Sequence, residues 1–379
     1  MIIQNRQNYL PAIQAFQIAL RAEPADALTW SRLGEAYSRA GRHVAAIKAL
    51  RRALELDPGN WLCSFLVAEL KTELGLFQEA IFTLEGLLEK RPIELSILVV
   101  LARAHLSLGQ TEYREGFHTR AESSFLQCIE VALSIYEHHS GFRTIALKII
   151  SDATFQLSRQ PVLQDQKRVD EILGLLKTLS SSERNLSLSL ELPHCIELED
   201  VHGSLAFLGI SIRACRLRIC LNASSNAARG SAWYDLAIGL QHWCDQTTSS
   251  ESEVQAKIVE AVTNALKEEP LNDAYWIAYG NAHFSDQPKM AQHAYVQALE
   301  LDPKVSEFDG NWREDELTCS RTSLHGPIWG SCIITMQTSN LLTKHSQELK
   351  LLILTIRSYG LVKLLLRPPT VTSLMLKLY

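Results

Sequence analysis

At 379 residues, with 46% hydrophobic and 21% charged side chains, the chain can bury a large core and falls outside the generally disordered class. Its formal net charge of −5 and pI near 6.2 run against binding to duplex nucleic acid, which calls for a basic surplus. The length fits two or three globular domains or one long repeat array.

The opening MIIQNRQNYLPAIQ lacks a basic start followed by a continuous apolar core, so no secretory signal is read. Ala12, Phe16, Ala19 and Pro24 stand 34 residues before Ala46, Leu50, Ala53 and Pro58. The first helix therefore reads as the second half of a repeat with no first half before it. The chain is expected to begin inside an array; an irregular cap over residues 1–8 is the alternative.

Residues 27–60, ALTWSRLGEAYSRAGRHVAAIKALRRALELDPGN, hold the clearest unit, with Trp30, Leu33, Gly34, Tyr37, Ala46, Leu50, Ala53 and Pro58. This spacing of large, small and helix-ending residues matches the tetratricopeptide repeat. It predicts helices over 27–40 and 44–56 with a turn at Gly41. Gly34 and Ala46 let the helices cross closely, Trp30, Leu33 and Tyr37 fill the space beside the crossing, and Pro58 ends the second helix. Residues 61–94 repeat the pattern with Ala68 in place of the crossing glycine, then Gly75, Ala80, Leu84, Leu87 and Pro92. From Leu95 it runs through Leu98, Leu101, Ala102, His105 and Gly109, then resumes at Ala121, Phe125 and Cys128 about seven residues late. The intervening YREGFHT lengthens either the helices or the turn.

Between 141 and 230 the signature fades while helical periodicity persists, and three helices are expected: a run from Ile145 to Leu157, one from Val169 to Leu179, and one near 198–221, with a polar break at 180–185. Trp233, Leu236, Ala237 and Leu240 then open a unit whose second helix carries Ile258, Val262, Ala265 and Pro270, with an exposed mobile loop expected at 245–253. The last unit has Trp276, Gly280, Tyr295, Ala298 and Pro303. Residues 307–379 keep neither repeat spacing nor a sustained helical stripe; a shifted reading frame, retained intron or misjoined gene model is expected, and a divergent cap is the alternative. Their most apolar stretch, 349–366, carries Lys350, Arg357 and Lys363, which argues against a membrane span. The expected organisation is an array at 1–140 of about 3.5 repeats, degenerate or inserted helices at 141–230, two repeat-like units at 231–306 and an irregular tail at 307–379.

No phosphate loop, dinucleotide turn, nucleophile elbow or zinc helix occurs, so no catalytic, cofactor-binding or metal-binding residue is expected. The eight cysteines contain no C-x-x-C pair and read as buried small hydrophobes of a reducing compartment. His138 and His139 diverge by about 100° on a helix and read as a solvated helix end. Cys215 and Cys220 beside Arg213, Arg216 and Arg218 read as packing thiols next to a solvated basic stripe, with thiol redox chemistry or RNA phosphate contact as alternatives. Asn185-Leu-Ser187 and Asn222-Ala-Ser224 fit the glycosylation sequon, which carries no meaning without a secretory signal.

The fold class is all-α: a tetratricopeptide α-solenoid, a right-handed superhelix of antiparallel helix pairs, followed by the non-repeat tail. In such an array the first helices line a concave groove, where Ser31, Glu35, Ser38 and Arg39 are the expected contacts, with solvated surface as the alternative. Glu35 disfavours capture of a peptide's terminal carboxylate.

The order of units over residues 9–306, with YLPAIQAFQIALRAEPADALTWSRLGEAYSRAGRHVAAIKALRRALELDP early and WYDLAIGLQHW and AVTNALKEEPLNDAYWIAYGNAHFSDQPKMAQHAYVQALELDPK late, resembles the tetratricopeptide subunit of the superkiller complex. Members of that family are much longer, so the resemblance implies a fragment. It also implies a non-catalytic scaffold holding a DExH RNA helicase and two copies of a WD-repeat subunit, feeding RNA to the cytoplasmic exosome for 3′-to-5′ decay. It further implies indirect contact with RNA at most, no membrane, and a cytoplasmic location with the nucleus as alternative. Two other readings stay open: an adaptor for short peptides of chaperone or transport partners, and the repeat arm of a protein O-glycosyltransferase lacking its catalytic domain.

Overall fold

Helix boundaries follow from where side chains and glycines satisfy backbone groups that a helix end leaves open. A computed structural model describes residues 2–160, 171, 172, 174, 203–221, 225–247, 251–284 and 286–302. Among these residues the regular structure is helical: α1 (Ile2–Ala22), α2 (Ala27–Arg39), α3 (His43–Leu56), α4 (Trp61–Glu73), α5 (Phe77–Leu88), α6 (Leu95–Arg114), α7 (His118–His138), α8 (Arg143–Ser158), α9 (Ser204–Cys220), α10 (Asn226–Gln246), α11 (Glu251–Glu268), α12 (Asp273–His283) and α13 (Pro288–Leu301), with a single 3-10 turn at Ser140–Phe142.

Helix α2 starts where the Asp26 carboxylate accepts the Leu28 amide at 2.9 Å, and α4 and α12 start the same way on Asn60 and Asn272. It ends at Gly41, whose φ of 72° is left-handed; the Gly41 amide returns to the Ser38 carbonyl and the Arg42 amide to that of Tyr37. Gly75 and Gly116 end α4 and α6 with the same pair of bonds. The chain turns back within three residues at each place, producing antiparallel pairs.

Two consecutive compact units divide the chain, Met1–Ala294 and Tyr295–Tyr379, and the described part of the second is the end of α13 with Asp302. In the first unit each described helix from α1 to α12 packs on the next, so the fold is an all-α solenoid of helix pairs. First helices also meet one another: α2 touches α4, α4 touches α6, α6 touches α8, and α10 touches α12. They form one layer, and α8 takes a first-helix place, with α9 as its mate.

The late resumption of the repeat lies in the helices. Helix α6 has 20 residues against 13 in α4, and α7 has 21 against 12 in α5, while the turn keeps its length. Seven residues are close to two turns at 3.6 residues each, so the buried face keeps its direction. Gly109 consequently lies inside α6, where a Cβ would stand 2.7 Å from the Phe125 ring, and Gly116 serves the turn. The run 169–179 lies outside the described residues except Glu171, Ile172 and Gly174, as does the break at 180–185. The loop expected at 245–253 is shorter: α10 continues through Gln246 and α11 begins at Glu251, because buried Trp243 and Val254 carry the two helices toward each other in one core.

Candidate docking surface

The repeat-signature residues build the support for any surface. A Cβ at Gly34 would stand 2.5 Å from Leu50 Cγ and 3.3 Å from the Ala46 carbonyl, so α2 and α3 cross there in close contact. Ala46, Leu50 and Ala53 are buried in one core with Cys63, Val67 and Leu70 of α4, while Leu33 packs with Ile13 and Leu20 of α1. Each pair thus borrows core from both neighbours. Half-buried Trp30 contacts both cores, and its indole N–H donates to the Pro24 carbonyl at 2.9 Å. The Tyr37 hydroxyl accepts from the Gln17 amide at 2.7 Å. Trp276 repeats the tryptophan clasp, donating to the Pro270 carbonyl at 2.8 Å. Ala80, Gly280 and Ala298 are buried, Trp233 is half-buried against the α10 core, and Pro58, Gly75 and Pro92 are exposed in turns. Pro303 lies outside the described residues.

Of the four residues expected in the groove, Ser31 is turned inward. Its side chain is buried and accepts from the Cys63 thiol at 3.2 Å, because the space between α2 and α4 is filled there. Glu35 and Arg39 remain at the surface as an ion pair one turn apart at 2.5 Å, and Ser38 is half-buried. Leu28 and Leu62 occupy the same position of successive repeats and are 56% and 45% exposed. Repeat equivalence was the signal for this pair. Glu69 of α4 has its carboxyl pushed up by burial and by Glu73, with Arg103 of α6 opposing, and Glu73 pairs with His43 at 3.2 Å. The first-helix layer therefore shows exposed apolar side chains among paired charges.

Among the described residues a dense polar cluster lies elsewhere, where α8, α9 and α10 meet. Lys148 Nζ lies 2.7 Å from Asp152 Oδ1 and 2.9 Å from Asp235 Oδ2, and Arg218 Nη1 lies 2.6 Å from the same Asp235 oxygen. Ser231 donates to Asp235 at 3.3 Å. Two cations face two carboxylates with Arg218 buried, so the basic stripe expected along α9 is not wholly solvated: the α10 carboxylate draws Arg218 inward. Beside it the Ser151 hydroxyl lies 3.0 Å from the Cys215 sulfur, and burial pushes that thiol up to about 12, so it holds no thiolate at neutral pH. At the end of α7 the His139 ring N–H donates to the Ile93 carbonyl at 2.9 Å, which ties that helix end to the turn before α6. Among the described residues no group of three or more His, Cys, Asp or Glu could hold a metal ion, and no helix is long and apolar enough to cross a membrane.

Residues 27–60 match the family model of the tetratricopeptide repeat. The chain is 28% identical to superkiller protein 3 of Schizosaccharomyces pombe over 73% of its own length and 20% of that protein. Superkiller protein 3 of Saccharomyces cerevisiae is 23% identical over 79% of the chain and 21% of that protein. The mouse superkiller complex protein 3 is 26% identical over 71% of the chain and 16% of that protein. The chain thus spans about a fifth of the length of these relatives.

Proposed function

We propose that this chain is a scaffold segment of a superkiller complex, working without chemistry of its own. The observation that carries the reading is the likeness to superkiller protein 3, which runs through 73% of the chain rather than through the single repeat at 27–60. The stacked helix pairs supply what a scaffold needs: a rigid core beneath a surface long enough for several partners to dock at once. Glu35 and Arg39 on α2 and the exposed Leu28 and Leu62 are the proposed contacts on the first-helix layer. The partners are an RNA helicase of the DExH type and WD-repeat subunits, with the exosome and RNA reached through them in cytoplasmic 3′-to-5′ decay.

The test is affinity purification of the full-length gene product, with co-purifying subunits identified by mass. A helicase and a WD-repeat protein in fixed ratio are expected. A clean preparation without either, or one that turns over a substrate, would overturn the reading.

A further inference from the structure

Helix α5 lies between α4 and α6 and buries Ala80, Ile81, Leu84 and Leu87. Its opposite face carries Gln78, Glu79, Phe82, Glu85 and Gly86, continued by Glu89 just past the helix end, all exposed and each three or four residues from another of the set. Three features of this stripe do nothing for the fold. Phe82 is 80% exposed, although an aromatic ring left in water forgoes the gain of burial. Gly86 stands one turn further on, in the last turn of the helix, where a Cβ would meet nothing within 4 Å. A glycine in a helical conformation is unfavourable relative to alanine even in the last turn, and no close approach explains this one. Glu85 and Glu89 sit one turn apart as like charges and pair with no cation among the described residues, while Glu79 is held by Lys71 at 3.0 Å.

We infer that this face is a docking site for a cationic amphipathic segment of a partner protein, with an apolar side chain laid on Phe82 and over the bare backbone at Gly86, and lysine or arginine against Glu85 and Glu89. The ring provides the apolar contact, and the carboxylates select the occupant. Nucleic acid and anionic lipid are repelled by the same charges. The equivalent positions of α3 hold Lys48, Arg51 and Arg52 in place of Phe82, Glu85 and Gly86, so the feature belongs to one repeat rather than to the repeat pattern.

The test uses the full chain and a fluorescein-labelled helical peptide of leucine and lysine, read by anisotropy, with a leucine–glutamate peptide and an RNA oligonucleotide as competitors. The leucine–lysine peptide is expected to bind, and Phe82→Ala and Glu85→Lys/Glu89→Lys each to weaken it at least tenfold. Ile18→Ala, at an exposed apolar position of α1, is expected to leave binding unchanged. Melting of each variant within about 2 °C of the parent shows that the fold is intact. Equal affinity for parent and Phe82→Ala, no binding at all, or displacement by the glutamate peptide or the RNA would overturn the proposal.

Discussion

At the scale of single residues, one atom decides where helices can cross. A leucine at Gly34 would overlap Leu50 and cost about 1–3 kcal/mol through overpacking, measured as the midpoint shift in urea unfolding. Trp30 joins two contributions that substitutions separate. Trp30→Phe keeps the ring and loses the bond to the Pro24 carbonyl, an expected loss of about 1 kcal/mol; Trp30→Ala loses the packing too, about 3–5 kcal/mol. No loss in Trp30→Phe would show that the indole N–H does nothing there. A histidine contributes to the loss of stability in acid. His242 of α10 is held down to about 4 by burial and by nearby Arg159, against about 6.5 when unfolded. Its folded value lies below its unfolded one, so the unfolded chain takes up the proton first. Stability therefore falls as the pH drops from 6.5 toward 4. His242→Gln is expected to flatten that part of the melting-temperature profile, and an unchanged profile would assign the acid loss to other groups.

At the scale of elements, the turns and pairs were legible because their causes are local. Gly41, Gly75 and the 34-residue return of small residues at Gly34, Ala46, Ala68 and Ala80 each specify a close crossing or a left-handed turn. Two things escaped. Where the pattern slips, the spacing could not say whether helix or turn had grown, since two helical turns leave the buried face unchanged; the contact of Gly109 with Phe125 settles it. The cluster of Lys148, Asp152, Arg218 and Asp235 was illegible because its members lie up to 87 residues apart, and each alone reads as a solvated polar position. It stands where the small-residue signature fades, and charge pairing there joins α8 to α9 and α10. Asp235→Ala leaves Lys148 and Arg218 without their shared carboxylate and should cost about 3–5 kcal/mol. Hydrogen exchange would place that loss in α8–α10; a loss below 1 kcal/mol would mean that solvent already screens the cluster.

At the scale of the whole molecule, the candidate surface was less legible than the fold. Ser31, Glu35, Ser38 and Arg39 were chosen for polarity on an expected face, but burial depends on the neighbouring repeat, and Cys63 of α4 takes the Ser31 hydroxyl into the interior. The central physical claim concerns that dependence: no pair holds its core alone, since α2 packs Leu33 onto α1 and α3 packs Leu50 onto α4. Hydrogen exchange on the full chain, comparing the parent with Gly34→Leu under native conditions, tests it most directly. The account predicts faster exchange spreading from α2 and α3 into α1 and α4, fading through α5 and α6, and absent from α10 to α12. A loss confined to α2 and α3, or one spread evenly over every helix, would contradict it.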